Sequence, residues 1–393
     1  MDKFSFVCFS INNWEKRRAR KQQFMLSLSK LDDVKMVIYI EPPVNFFRLI
    51  FVPARSQEER ERRARAVFAR MERVSSKLLL FTPVFYIPFA FRCQKIYDIN
   101  LFIEFVILRS KFRLLALNDV ILWLYQPLDH RLLSWFKERI VSVFDWAEEW
   151  SEYFKEFDRE KQKDVLRFEE EIISNADIVF VVSQELLRRA KEYNKNSYYL
   201  TDGTDYEAFQ AAGDRVPDDI RQIAGPILGY LGNVAERVDL GLVEFIARRL
   251  PHVSIVFVGN ILMDISSLKH LKNIYFLGGK AYGDLGGYTR QFDVCIVPYE
   301  PESCAYTFPT KIYDYLATGK PIVSTGVRGM DEFSDYVYIG QSNEDFVNKI
   351  EIALRESDAG LPKKRQEIAR KNSWSVRAEE IVEYINSQRS HKM

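Results

Sequence analysis

The stretch FDVCIVPYEPESCAYTFPTKIYDYLATGKPIVST, residues 292–325, decides the fold. Its apolar run at residues 294–298 has the length of a buried parallel strand. The sequence then predicts a helix with Pro309 in its first turn and Gly319 as its C-cap. Pro321 prevents continuation of that helix and opens the next strand. Strand, loop, helix and strand in this order are typical of a Rossmann-like unit.

Polar groups gather at the predicted N-terminus of this helix. Backbone N–H groups and the positive dipole end suit a phosphate there, and Lys311 adds a full positive charge. Asp314 follows three residues later near the same face, with two oxygens that can accept from two sugar hydroxyls. A phosphate cradle beside a diol acceptor predicts a nucleotide site. The alternative interpretation is a generic βαβ unit with a well-capped helix.

Composition indicates a globular protein with two or three domains. The chain has 393 residues, of which 47% are hydrophobic and 28% charged. Residues 1–150 carry 25 Lys and Arg against 17 Asp and Glu, a net charge of +8, whereas the remainder carries −7. No signal peptide opens the chain, and the cysteines show no paired metal spacing, so we expect a cytoplasmic protein with reduced thiols. The cysteines are Cys8, Cys93, Cys295 and Cys304.

The first part of the chain predicts a parallel sheet. Strand patterns occur at residues 4–10, 35–39, 120–125 and 140–144, the first two separated by a predicted helix. Ligands bind beyond the carboxyl ends of such strands. Asp145 and Glu148 follow the fourth strand, where a carboxylate can deprotonate an acceptor hydroxyl or hold a sugar. The alternative is that Glu148 and Glu149 begin the helix that follows, where the helix dipole favours acidic residues.

Glycines precede a second group of polar residues in the later part of the chain. A predicted strand delivers Gly229 and Gly232 to a loop, and Arg237 follows. Glycine lets a backbone approach a diphosphate closely, although a tight turn with a surface arginine is the alternative. A further predicted strand ends at Gly279, Lys280 and Tyr282.

The motif PTKIYDYLATGKPIVST resembles the donor-binding signature of GT-B glycosyltransferases of the family-four type, with teichuronic-acid and xanthan-type relatives. The opening residues around Trp14 and the segment beginning at Asp145 resemble the same family. Three positions depart from the usual pattern: Tyr306 replaces a Glu, Phe144 a His and Asp202 an Asn.

The resemblance implies an α/β GT-B fold with two Rossmann-like domains facing across a cleft. It predicts an acceptor-binding domain at residues 1–213, a nucleotide-sugar-binding domain at 225–373, and a C-terminal helix at 374–393 returning to the first domain. The polar segment at 214–225 is the predicted boundary.

The resemblance also implies roles for individual residues. Expected donor-binding residues are Gly232, Asn233, Arg237, Gly279, Lys280, Tyr282, Thr307, Thr310, Lys311 and Asp314. Expected catalytic residues are Asp145, Glu148, Lys311 and Arg237, and expected acceptor-binding residues are Trp14, Arg20 and Gln126. No metal and no cofactor are expected, because the nucleotide sugar is a substrate and fixed positive groups meet the charge of its leaving group.

A basic helix predicted at residues 56–77 precedes the aromatic run LLLFTPVFYIPFAF at 78–91. Basic and aromatic residues together predict peripheral contact with the anionic inner face of a membrane. The alternative is that the aromatic residues form core and the helix is merely soluble.

The predicted reaction moves a sugar, with UDP as the leaving group and retention of configuration, to a hydroxyl of a glycan or lipid-linked acceptor. This implies a role in cell-surface polysaccharide or glycolipid synthesis without nucleic acid as a partner. Two alternatives stay open, a GT-B-fold sugar-nucleotide epimerase and a non-catalytic nucleotide-sugar-binding protein.

Overall fold

The computed structural model describes residues 3–14, 20–137, 139–148, 150, 159–211, 216–304 and 309–392. The chain forms two compact units. The first unit comprises Met1–Thr201 with Arg377–Met393, and the second comprises Asp202–Val376.

The first unit is built on one eight-stranded sheet. Its strands are β1 (Phe4–Phe9), β2 (Val34–Ile40), β4 (Met71–Arg73), β5 (Leu78–Phe81), β7 (Val120–Leu124), β8 (Arg139–Trp146), β9 (Ile178–Val181) and β10 (Ser197–Tyr199), and a separate parallel pair is β3 (Val44–Asn45) with β6 (Val84–Phe85). Its helices are α1 (Arg20–Leu28), α2 (Phe46–Phe51), α3 (Gln57–Val67), α4 (Gln94–Leu114), α5 (Leu132–Trp135), α6 (Arg159–Asn175) and α7 (Gln184–Tyr193). The strand order is β10-β9-β8-β7-β1-β2-β5-β4, and only the β4–β5 pair is antiparallel.

The second unit holds a six-stranded, fully parallel sheet. Its strands are β11 (Ile227–Leu231), β12 (Ser254–Val258), β13 (Ile274–Phe276), β14 (Val294–Val297), β15 (Ile322–Thr325) and β16 (Tyr338–Gly340). Its helices are α8 (Tyr206–Ala211), α9 (Leu240–Arg249), α10 (Leu285–Arg290), α11 (Lys311–Thr318), α12 (Asn343–Leu354) and α13 (Leu361–Lys371), and the chain closes with α14 (Trp374–Lys392). The order is β13-β12-β11-β14-β15-β16.

The central strands read as continuous apolar runs because helices cover both faces of each sheet. Every residue of β1, β7, β11, β12 and β14 is buried. The helix α14 packs on the first unit, where the Tyr384 ring lies 4.2 Å from that of Tyr198 and 5.7 Å from that of Phe180. The predicted α/β fold, with Rossmann-like sheets and a returning C-terminal helix, is confirmed.

The chain passes between units earlier than the boundary predicted at residues 214–225. Helix α8 belongs to the second unit because Phe209 is buried in its core. The Arg290 guanidinium also donates to the carbonyl of Phe209 at 3.3 Å. Residues 212–215 lie outside the described part of the chain.

The basic helix predicted at residues 56–77 is shorter in the structure. It begins after the N-cap Ser56, whose hydroxyl accepts from the Glu59 N–H at 3.1 Å, and it ends at Val67. Ala69 has a φ of 44°, which breaks the helix, and β4 follows antiparallel to β5. All of β5 is buried, so the start of the aromatic run at residues 78–91 is core, as the alternative interpretation holds.

Candidate active site

The topology of the second sheet selects the edge where a ligand binds. The chain runs outward from β11 through β12 to β13, and in the other direction through β14 and β15 to β16. The carboxyl ends of β11 and β14 therefore border the point where the strand order reverses. Ligands of open parallel sheets bind in the crevice at such a point. The residues just beyond β11 and β14, together with α11, are accordingly the candidate donor site.

The loops after β11 and β12 approach each other closely. Gly232 adopts a φ of +127°, which side-chain-bearing residues rarely adopt. A Cβ atom on Gly259 would lie 1.9 Å from the Gly232 carbonyl oxygen, so only glycine fits there. Because neither glycine carries a side chain, the backbone at the carboxyl ends of the two strands is uncovered. A diphosphate can approach such a backbone closely.

Lys311 is held between two tyrosine rings at this edge. Its Nζ lies 3.7 Å from the ring centroid of Tyr230 and 4.6 Å from that of Tyr299, and it donates a hydrogen bond to the Tyr299 hydroxyl. The Nζ would also lie 3.0 Å from a Cβ on Gly232. The rings attract the ammonium group by cation–π interaction and restrict its position. The structure thus brings Lys311 and Gly232 together, as the sequence predicted.

Asp314 lies on α11 one turn beyond Lys311 and is half-buried. Its Oδ1 accepts a hydrogen bond from the Thr204 hydroxyl at 2.7 Å. Burial raises the pKa of Asp314 from its usual value to about 7, and the nearby carboxylates of Asp205 and Asp202 act in the same direction. The Thr204 hydrogen bond and the Lys311 charge partly oppose that rise. The carboxyl group is therefore poised between its two protonation states near neutral pH.

The other predicted donor residues at this edge have varied surroundings. The Asn233 carbonyl accepts from the Tyr230 hydroxyl at 2.9 Å, which fixes the loop beside Lys311. The side chain of Arg237 is exposed, and its carbonyl accepts from the Glu300 N–H at 3.0 Å. Thr310 precedes α11, and its exposed side chain makes no capping hydrogen bond. Thr307 and Tyr306 lie outside the described residues.

The predicted donor-binding residues Gly279, Lys280 and Tyr282 follow β13. Gly279 is exposed, and a Cβ there would lie 2.5 Å from the Asn260 side-chain oxygen. The Lys280 ammonium pairs with the Asp219 carboxylate at 2.6 Å, which also accepts from Tyr288. Tyr282 is half-buried with its ring 6.3 Å from that of Phe209, so much of its surface is already packed.

The structure corrects the expected environment of Asp145 in the first unit. The strand predicted to end at residue 144 continues as β8 to Trp146, so Asp145 pairs with Phe180 inside the sheet instead of following the strand. Its side chain is fully buried, and the Arg20 guanidinium donates to both carboxylate oxygens at 3.2 and 3.0 Å. Neither side chain is accessible, so Asp145 lacks the exposure of a base and Arg20 that of an acceptor ligand.

The remaining first-unit residues are more accessible. The Lys21 ammonium pairs with Glu148 at 2.8 Å, and the Glu148 side chain is 51% exposed, so it is the acid that solvent reaches. The half-buried Trp14 donates its backbone N–H to Glu41 at 2.8 Å. Gln126 donates to the hydroxyl of Tyr97 at 2.7 Å and to Asp129 at 3.0 Å. Glu149 lies outside the described residues.

We expect Asp145→Ala to destabilise the first unit. The substitution leaves the Arg20 guanidinium buried without its carboxylate partner, and breaking a buried pair in this way costs about 3–5 kcal/mol. Urea unfolding followed by circular dichroism measures this loss. Glu367→Ala, which removes the exposed partner of Arg370, is the control, and we expect a much smaller change there. Normal stability combined with lost turnover would instead return Asp145 to a catalytic role.

The sequence interpretation missed several residues that shape the site. They are Thr204, Tyr230, Gly259, Tyr299 and Tyr315, whose hydroxyl accepts from the Leu231 N–H at 2.7 Å. Tyr230 and Tyr299 stand at or just after the ends of predicted strands, so strand order alone would have placed them beside each other. Thr204 lies in the Asp-Gly-Thr-Asp segment at residues 202–205, 110 positions before Asp314, so local sequence gives no sign of their hydrogen bond.

Comparison with known proteins shows which proteins this chain resembles. Residues 225–356 match the family model described as glycosyl transferases group 1. The chain is 25% identical to TuaH of Bacillus subtilis (strain 168), described as a teichuronic acid biosynthesis glycosyltransferase, over 67% of this chain and 70% of that protein.

Solved structures agree over nearly the whole chain. Sucrose-phosphate synthase from Thermosynechococcus elongatus has a TM-score of 0.67 at 15% identity, covering 98% of this chain and 99% of that one. Anabaena HepE in complex with UDP has a TM-score of 0.62 at 14% identity, covering 98% and 100%. Residues 225–356 are therefore a glycosyl transferases group 1 domain, and the chain is a glycosyltransferase with the GT-B fold.

Proposed function

We propose that this glycosyltransferase takes its sugar from a UDP-sugar bound by the second unit. The observation that carries the proposal is the placement of Lys311 against Tyr230 and Tyr299 at the strand-order reversal, one helical turn from Asp314. The ammonium suits the diphosphate, and the carboxylate suits the two ribose hydroxyls. The UDP bound in the HepE structure supports the choice of nucleotide.

Departure of UDP leaves negative charge on the phosphate oxygens. In the proposed reaction Lys311, Arg237 and the backbone N–H groups at the start of α11 stabilise that charge, and they need no metal to do so. Cleavage of the bond from the sugar's anomeric carbon to the diphosphate is matched by a new bond from that carbon to the acceptor oxygen, with retention of configuration. The acceptor hydroxyl loses its proton either to an oxygen of the released diphosphate or to a base.

The proposed acceptor is a hydroxyl of a glycan or lipid-linked sugar in polysaccharide synthesis. The described role of the Bacillus relative supports this class, since teichuronic acid is a polysaccharide. Glu148, exposed beside the amino group of Lys21, is the first-unit acid that we propose contacts this acceptor. Trp14 and Gln126 stay proposed acceptor residues. A lipid-linked acceptor also implies peripheral contact with the inner membrane face.

A nucleotide-sugar panel tests the proposal. We expect UDP-sugars to raise the melting temperature where ADP- and GDP-sugars leave it unchanged, and one of them to support transfer to a lipid-linked acceptor. Turnover in EDTA should equal turnover in Mg²⁺, and NMR of the product should show retention. Isomerisation of the UDP-sugar without acceptor would identify an epimerase instead, and binding without transfer to any acceptor would indicate a non-catalytic binding protein.

A further inference from the structure

Helix α2 and the neighbouring Tyr86 expose an unusual amount of apolar surface. None of the six residues of α2 is buried. The exposed fractions are 46% for Phe47, 57% for Ile50 and 72% for Phe51. We call Phe46, Phe47, Ile50, Phe51 and Tyr86 the α2 surface. Contiguous exposed groups of this kind mark sites of interaction with proteins or membranes.

The aromatic side chains of the α2 surface lie against one another. The Phe46 ring lies 5.9 Å from that of Tyr86 and 6.0 Å from that of Phe47, which in turn stacks on Phe51 at 6.3 Å. The β3–β6 pair places the residues before α2 and before Tyr86 side by side. The four aromatic side chains therefore form one continuous patch, and Ile50 adds exposed apolar surface on the same helix.

Hydrogen bonds fix the backbone beneath this patch. The Asn45 side chain caps α2 by accepting from the N–H groups of Phe47 and Arg48 at 3.0 and 3.3 Å. Arg63 of α3 donates to the carbonyl of Arg48 at 3.3 Å and to that of Val52. An isolated helix of six residues is unstable in water, so these bonds hold it with its phenylalanines toward solvent.

The chain segment that carries the patch has an excess of positive charge, and Arg48, Arg55 and Arg60 within it are exposed, which favours an anionic partner. Residues 46–114 carry 14 Lys and Arg against six Asp and Glu, a net charge of +8, whereas the whole chain carries +1. A second copy of the chain meeting this surface symmetrically would bring two such regions together, and the like charges would repel. An anionic bilayer offers apolar depth for the rings and negative headgroups for the arginines.

We infer that the α2 surface docks the protein peripherally on an anionic phospholipid bilayer, with Phe47 and Phe51 entering the interface. The inference rests on the proposed function, because a lipid-linked acceptor gives the enzyme a reason to be there. Among the described residues, no helix is long and apolar enough to cross a bilayer.

Vesicle flotation of the full chain tests this inference. Vesicles of phosphatidylcholine with 30% phosphatidylglycerol are the probe, and pure phosphatidylcholine is the comparison. We expect binding to the anionic vesicles, weakened by 0.5 M salt, and a loss of about 30-fold or more in the double variant Phe47→Ser, Phe51→Ser. Arg48→Glu with Arg55→Glu should lower binding to the anionic vesicles while leaving the apolar residues in place. Leu262→Ser, at a position 64% exposed in the second unit, is the matched control and should bind as the unmodified protein does.

The outcomes separate this inference from the proposed function. UDP-sugar binding, measured on the same proteins in solution, should be unchanged in the Phe47 and Phe51 variant. Failure of UDP-sugar binding in every protein would contradict the proposed function and leave the vesicle result intact. Equal flotation of the double variant and the unmodified protein, or no flotation of either, would overturn the membrane inference. A dimer that the double variant disperses, seen by light scattering without vesicle binding, would overturn it in favour of a second copy.

Discussion

Replacing Lys311 by alanine should lower kcat for sugar transfer by about a thousand-fold, because the site loses a positive group preorganised against developing negative charge. The fold should survive, since the Nζ lies against tyrosine rings at the sheet edge and its removal leaves the apolar side of α11 untouched. Steady-state kinetics with the preferred UDP-sugar measures the effect, and the melting temperature reports the fold.

Lys320 provides a matched control for this substitution. It follows the C-cap Gly319 at the opposite end of α11 and is also half-buried. We expect Lys320→Ala to leave kcat within about threefold of the unmodified enzyme, because charge effects fall off with distance. Turnover of Lys311→Ala close to that of the Lys320 variant would remove Lys311 from the site.

The second large effect concerns Asp314. Its conversion to asparagine should weaken UDP binding about 100-fold, since two charge-assisted hydrogen bonds to ribose hydroxyls contribute roughly 1.5 kcal/mol each. The pKa of Asp314 is raised to about 7 in the free protein, so lowering the pH through 7 protonates the group and removes its capacity to accept twice. Affinity should therefore fall as the pH falls from 8.5 to 6.

Titration calorimetry at several pH values measures this dependence. UDP itself takes up a proton in the same range, so the diagnostic quantity is the difference in slope between the unmodified protein and Asp314→Asn. We expect the variant to lose the part of the pH dependence of UDP affinity that comes from the Asp314 carboxylate. Thr204→Val serves as the second comparison, because it removes the hydroxyl that donates to Asp314 and should raise the pH at which affinity declines. Identical slopes in all three proteins would contradict a role for Asp314 in binding the ribose.

Local sequence patterns predicted α11 closely because its limits are set by neighbouring residues. Pro309 precedes the helix, which runs from Lys311 to Thr318, and Gly319 takes the left-handed conformation with a φ of 75°. These residues act on the helix within one or two of its turns, so a single sequence is enough to locate its ends.

Predictions that depended on distant partners were less successful. Asp145 follows an apolar run, so the sequence predicted that it lies just beyond the end of a strand. The partner that makes its burial tolerable is Arg20, which is 125 positions away in the sequence. Tyr230 and Tyr299 likewise meet around Lys311 only because β11 and β14 are neighbours in the sheet. Local pattern carries no information about such pairings.

Gly259 constrains how this sequence can diverge. Any descendant that keeps the present backbone at the ends of β11 and β12 must keep glycine there, because a methyl group would overlap the Gly232 carbonyl. Other glycines of the second unit, such as Gly283, where an added Cβ meets nothing within 4 Å, carry no steric restriction of that kind. Lineages that change their sugar preference are therefore expected to vary the surrounding loops while retaining this one residue.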